Sequence, residues 1–139
     1  MKEPIWVDLR DALSVHDRLL FLYGGSDGIR DQNLLESALA RPQQIYAYAE
    51  NPDLADLGAA LMAGVVRNHP FVDGNKRTGF VLGVMFLELN GLDFVAKEED
   101  ATQAVRLLAA GTLDEAGFKN WVRASITRQQ VKLSNLQDR

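Results

Sequence analysis

Nine residues near the middle of the chain, His69-Pro70-Phe71-Val72-Asp73-Gly74-Asn75-Lys76-Arg77, carry the side-chain types that proton and phosphate chemistry needs. An imidazole such as that of His69 exchanges a proton near neutral pH. A carboxylate such as that of Asp73 ligates a hard cation. Mg²⁺ in particular takes one or two protein carboxylates and fills its other positions with water and phosphate. Gly74 lets the backbone turn, or lets a phosphate approach closely, and a helix opening at Asn75 would aim free N–H groups at the same point. Asn75 can donate from its amide, Lys76 supplies a mobile point charge, and Arg77 can grip two phosphate oxygens at once. Phe71 offers nothing to phosphate and is expected to plug into the core. Two cations at the positive end of a helix cost ~0.3–1 kcal/mol each unless an anion is present. The end of a preceding helix would favour imidazolium at His69, whereas Arg77 and a bound cation would favour the neutral ring that a general base requires.

Rigid elements must hold these residues from both sides. Leu54, Leu57, Leu61, Gly64, Val65 and Asn68 fall at helical spacing and predict a third helix running directly into His69. A fourth is expected from near Asn75 to Asn90-Gly91; from Phe80 to Leu89 its only charge is Glu88, the mark of a central helix surrounded by others. Gly79 and Gly83, four apart, allow close helix contact. Upstream, Asp8 caps a first helix whose inner face is Leu9, Ala12, Leu13, His16, Leu20 and Tyr23, ended by Gly24-Gly25. His16 on that face reads as a core-edge histidine bonded to a backbone carbonyl. Asp31 caps a second helix, with Leu34, Leu35, Ala38 and Leu39 buried and Pro42 marking its end. Residues 41–53 show no helical period. Ile45-Tyr46-Ala47-Tyr48 reads either as a short strand or hairpin over the site, able to dock a peptide by strand addition, or as a connector whose tyrosines pack on the core.

Past the fourth helix, Leu92 to Val95 is a short extended piece. Glu98, Glu99 and Asp100 open a fifth helix that Gly111 stops. Thr112 and Glu115 form a capping-box pattern for a sixth, with Phe118, Trp121, Val122, Ser125 and Ile126 on its face. Arg128 to Arg139 is polar and expected to fray. The expected fold class is all-α: about six helices around a central apolar helix, with a short flap hairpin or loop. One domain is expected over residues 1–139, with its core at about 5–126 and a polar tail at 127–139.

Composition narrows the function. The 139 residues, 47% hydrophobic and 24% charged, suit one soluble domain with a real core. The absence of cysteine excludes disulfides, zinc thiolates and thiol nucleophiles. A net charge of −4 argues against a chain that coats nucleic acid. The longest apolar run is about half of the ~20 residues a bilayer demands, and no apolar segment follows Lys2, Glu3 and Asp8 to make a secretory signal. A cytoplasmic protein, without membrane or nucleic-acid partners, is expected.

The nine residues resemble the signature of the Fic superfamily, specifically its Doc (death-on-curing) branch. The Fic signature reads H-x-F-x-(D/E)-G-N-G-R-x-x-R, and the Doc version reads H-x-F-x-(D/N)-(A/G)-N-K-R. This chain reads H-P-F-V-D-G-N-K-R and meets every specified Doc position. Seven such positions at roughly 1 in 20 each give on the order of 10⁻⁹ per start site by chance. The likeness extends to Tyr23-Gly24-Gly25, the order of helices and Phe86-Leu87…Asn90-Gly91, over about residues 5–125. Fic proteins usually transfer AMP from ATP to a hydroxyl. Doc toxins, with lysine where others have glycine, bind ATP the other way round. They transfer its γ-phosphate to a threonine of elongation factor Tu, which stops translation.

By position, the resemblance implies His69 as the base, Asp73 as the Mg²⁺ ligand, and Gly74, Asn75, Lys76 and Arg77 as the ATP phosphate cradle. Arg67 is placed to contact nucleotide or target. A target-docking flap falls at 41–53, and a Phd-type antitoxin is the implied partner. The second arginine of the AMP-transferring signature would fall at Phe80 and is absent. The autoinhibitory pattern (S/T)-x-x-x-E-(G/N) is also absent, so inhibition is expected from another chain. Two further readings stand beside a toxin kinase: an AMP transferase acting on another protein hydroxyl, and a non-catalytic helical module that binds an antitoxin.

Overall fold

The computed structural model describes residues 2–129. In chain order these form α1 (Leu9–Tyr23), α2 (Gln32–Tyr48), α3 (Leu54–Asn68), α4 (Asn75–Leu89), β1 (Leu92–Phe94), α5 (Glu98–Ala110), α6 (Glu115–Ala124) and β2 (Ile126–Arg128). The all-α expectation holds, with one two-stranded antiparallel sheet added; its register pairs Leu92 with Arg128 and Phe94 with Ile126. No helix among the described residues is long and apolar enough to cross a membrane. The expected fraying of the tail, for residues 130–139, lies outside the described residues.

Aspartates start most of the helices. Asp8 and Asp53 form reciprocal capping boxes with Asp11 and Asp56, and Asp31 caps α2 through the Leu34 N–H. Each satisfies a donor that the first helical turn leaves free. The core is then built on two adjacent helices. α4 packs along α3, and α3 is the more enclosed of the pair: from Leu57 to Val66 every residue is buried. Small residues make this possible. A Cβ on Gly83 would lie 2.2 Å from Met62 Cγ, and one on Gly79 would lie 3.2 Å from the Met62 carbonyl oxygen, so the α3–α4 contact depends on both glycines. Around this pair, Phe71, Phe86 and Phe118 are fully buried, Trp6 stacks on Phe86, and Phe94 meets Phe80 and Trp121 edge-on.

Three local expectations are corrected. Pro42 does not end α2, which continues to Tyr48, so Ile45-Tyr46-Ala47-Tyr48 is the last turn of a helix and not a strand or hairpin. An interior proline costs ~3 kcal/mol. Here Pro42 is buried, Ile45 and Tyr46 pack on the core, and a bidentate Arg41–Glu115 ion pair fastens the same stretch to α6. Tertiary burial outweighs the local penalty. Only residues 49–53 remain as connector. Secondly, Asp114, not Thr112, caps α6, accepting from the Gly117 N–H. Thirdly, Ile126 leaves the helix, and Thr127 and Arg128 are held in β2 against β1.

Candidate active site

His69 is the residue at which α3 stops. Its N–H still donates to Val65, but its own backbone is left-handed, with φ 54° and ψ 51°. A non-glycine residue there costs about 1–2 kcal/mol, and a following proline adds restriction. Arg30 stabilises the turn: its Nε donates to the His69 carbonyl at 2.6 Å and its Nη2 to the Asn68 carbonyl at 2.8 Å. A cation on the last carbonyls of a helix is favourable on charge grounds. The Arg30 and Asp31 N–H groups both donate to Pro70, and Ile29 pairs with Phe71 in an antiparallel bridge. The connection between α1 and α2 therefore splints the motif. Sequence reading missed Arg30, because a lone arginine on a loop carries no signal of which carbonyls it will meet.

Asn75 faces inward. It was expected to offer its amide to phosphate; instead it is 2% exposed, and its polar atoms are engaged within the loop. Its Oδ1 accepts from the Phe71 N–H at 2.9 Å, and its Nδ2 donates to the Phe71 carbonyl at 2.9 Å and lies 3.1 Å from His69 Nδ1. The two bonds to Phe71 fix which end of the amide is nitrogen. Nδ1 of His69 must then accept, so the neutral ring carries its proton on Nε2. The Asn75 side chain therefore positions the loop, and what it leaves to a ligand is its backbone N–H at the start of α4. Phe71 is fully buried, as its role as a plug requires, and stacks on His16 at 3.8 Å. His16 Nε2 donates to the Asp73 carbonyl at 2.9 Å, which matches the core-edge reading of that histidine.

Asp73 and Arg77 gather on the side of α1. The Asp73 carboxylate accepts from the Ser26 N–H at 3.1 Å and from the Gly74 N–H at 2.8 Å. These bonds, Ser26 first, hold its carboxyl below the ordinary carboxylate range; burial opposes them slightly, and His16 and Arg77 reinforce them. Gly25 is needed for this approach: its φ is +121°, and a Cβ there would stand 3.0 Å from Asp73 Oδ2. The exposed, ionised carboxylate keeps outward lone pairs on both oxygens, so its chemistry fits a hard cation. Arg77 lies over the Tyr23 ring at 4.3 Å.

The start of α4 differs from the other helix starts. Gly74 is its N-cap, in a left-handed conformation, and no side chain caps it. α5 also lacks a side-chain cap, but Glu98, Glu99 and Asp100 neutralise its first turn. α4 has Lys76 and Arg77 there and no acid. Among the described helices it is the one with cations and no acid in its first turn, and Asp73, on the Gly74 N–H, is the carboxylate beside it. His69, Lys76 and Arg67 border one recess of about 490 Å³, which Asp73 and Arg77 do not line. The predicted residues thus fall into two groups on either side of one turn.

Comparison with known proteins identifies the family. Residues 6–87 match the model of the Fic/DOC family. The chain is 39% identical over 92 residues to "Toxin Doc" of Mycolicibacterium smegmatis (strain ATCC 700084 / mc(2)155), covering 66% of this chain and 68% of that protein. It is 33% identical over 95 residues to "Protein kinase doc" of Escherichia phage P1, covering 68% and 75%. With its motif on the turn between α3 and α4 and the match spanning α1 to α4, the chain belongs to the Fic/DOC family.

Proposed function

We propose that this protein is a Doc-type toxin kinase that moves the γ-phosphate of ATP to a threonine or serine hydroxyl of a translation factor, with elongation factor Tu as the target. The observation that carries the reading is the uncapped start of α4, with Lys76 and Arg77 on its first turn, one short loop from the strained His69. Phosphoryl transfer demands positioning and charge neutralisation more than covalent participation by the protein. The free N–H groups after Gly74, with Lys76 and Arg77, hold phosphate oxygens. Asp73 would hold Mg²⁺, which would supply charge neutralisation to a bound phosphate. Arg67 steadies the nucleotide or the target.

The acceptor oxygen attacks the γ-phosphorus, the bond to the β–γ bridging oxygen breaks, and ADP leaves. The hydroxyl proton passes to His69. In the neutral ring Nδ1 carries the lone pair, so the bond it accepts from Asn75 gives way as the proton arrives. The names of the two relatives, one a toxin and one a protein kinase, support the same reading. So does Phe80, which packs edge-on against Phe94 where AMP-transferring relatives need an arginine. A Phd-type antitoxin supplies the inhibition, and both act in the cytoplasm.

The test is purified elongation factor Tu with Mg²⁺ and ATP labelled in either the γ- or the α-phosphate, and His69→Ala as control. γ-label on the factor, absent with the variant, is expected. α-label would replace the proposal with AMP transfer. No label of either kind, with binding to an antitoxin intact, would favour the non-catalytic module.

A further inference from the structure

Two aspartates outside the motif, Asp17 on α1 and Asp27 on the connection to α2, come together at His16. A ring nitrogen of His16 and one carboxylate oxygen from each aspartate lie within 4.8 Å of one another. Both aspartates are exposed, and neither forms an ion pair among the described residues. Two like charges this close repel unless something positive lies between them. Exposed acids often meet without a ligand, so the histidine decides the matter. The His16 ring is 2% exposed. Its Nε2 lies 2.9 Å from the Asp73 carbonyl, and a carbonyl only accepts, so Nε2 carries a proton. In the neutral ring Nδ1 is left with a lone pair, and it has no hydrogen-bond partner among the described residues. A buried polar nitrogen normally has one. What stands near this ring is two further acceptors.

A lone pair and two carboxylates include no donor, so a cation is what satisfies all three together. An imidazole that ligates a metal through one nitrogen characteristically donates from the other to a carbonyl or carboxylate, which fixes the ring. His16 already makes that bond, to Asp73. The geometry points to a second cation site at His16, Asp17 and Asp27, separate from the carboxylate of Asp73. One nitrogen and two oxygens suit a borderline ion such as Zn²⁺ better than Mg²⁺, which is bound through oxygen. Water fills the remaining positions. Ligand atoms stand about 2.0–2.2 Å from Zn²⁺, so the two exposed carboxylates swing inward on binding while the ring stays on Phe71 and Asp73. The consequence reaches the motif. Asp27 sits between Ser26, whose N–H holds the Asp73 carboxylate, and Gly28, whose carbonyl accepts from the Val72 N–H. A cation that joins Asp27 to α1 staples this connection and stiffens the seat of Asp73, whatever reaction the site performs.

The test titrates Zn²⁺ calorimetrically into the full chain in excess Mg²⁺, with nitrogen NMR following the His16 ring. The wild type should take up one equivalent, with His16 Nδ1 shifting as a metal ligand while Nε2 keeps its proton. Asp17→Asn and Asp27→Asn, both at exposed positions, should each weaken Zn²⁺ at least ~10-fold. Zn²⁺ should also raise the melting temperature of the wild type more than that of either variant. A His69→Ala/Asp73→Asn double variant should bind Zn²⁺ as the wild type does, since it keeps the backbone carbonyl that His16 uses and loses none of the three ligands. Uptake that this double variant abolishes, that Asp27→Asn leaves unchanged, or that does not move His16 Nδ1 would overturn the inference. So would a His16 ring protonated on both nitrogens and indifferent to Zn²⁺, with the imidazolium itself as the charge between the two acids.

Discussion

Asn75 Nδ2 lies 3.1 Å from His69 Nδ1, and the same amide is clamped to the backbone of Phe71 through both its oxygen and its nitrogen. The clamp sets the state of the ring. Nitrogen NMR of the neutral enzyme should find His69 protonated at Nε2 and bare at Nδ1; the opposite tautomer would show that the amide does not control it. Asn75→Ala should lower stability by about 1–3 kcal/mol, because it strands a buried N–H and C=O of Phe71, as read from urea unfolding.

Lys76→Ala should move stability and activity in opposite directions. Removing a cation from the positive end of α4 relieves an unfavourable contact, so the free protein should gain ~0.3–1 kcal/mol. Phosphate transfer should fall at least about tenfold, the order expected for losing one charge-assisted phosphate contact. Paired melting and kinetic measurements check both; a variant less stable than the wild type would contradict the electrostatic account of this turn.

Arg30→Ala removes two hydrogen bonds from the carbonyls that flank the left-handed turn at His69. Global stability should drop by only ~1 kcal/mol, since the side chain is largely exposed. Activity should fall further than that loss explains, because the ring is no longer held at its angle. Arg30→Lys, which can reach one carbonyl but not fork to both, should recover a minor part of the rate. A full rate in Arg30→Ala would show that Arg30 does not position His69.

Acid should weaken the loop through Asp73. The N–H groups of Ser26 and Gly74 lower its folded pKa beneath the value of 3.8 for a free side chain. The carboxylate therefore contributes stability that is fully present above pH 3.8 and is lost as pH falls through the lowered folded value. Comparing urea midpoints of the wild type and Asp73→Asn across pH, the gap should be constant at neutral pH and close in strong acid. A gap that widens in acid would reverse the sign and refute the assignment.

Gly83→Ala should cost about 1–3 kcal/mol through overpacking against Met62. It should lower activity too, because the α3–α4 seam carries His69 at one end. Gly111→Ala, with φ +80° and no neighbour within 4 Å of a new Cβ, tests backbone strain alone and should leave the seam intact.

Much of this arrangement was legible in the residues. The Asp8 and Asp31 caps, the Asn90-Gly91 and Gly111 stops, and the Gly79/Gly83 spacing are local signals, and the helices follow them. Pro42 was misleading because its local penalty is overcome by Arg41–Glu115 and by burial, neither visible in one stretch of chain. The motif announced its nine residues but not their directions. Whether Asn75 points to ligand or to Phe71 depends on the turn closing, and Arg30 joins the site only through a contact 39 positions away at His69.

The glycine seam between α3 and α4 also limits how proteins of this shape can diversify. With no side chain between the two helices at Gly79 and Gly83, one cannot slide past the other, and the turn that joins them behaves as a fixed jig. Substitutions are therefore better absorbed around this jig than within it.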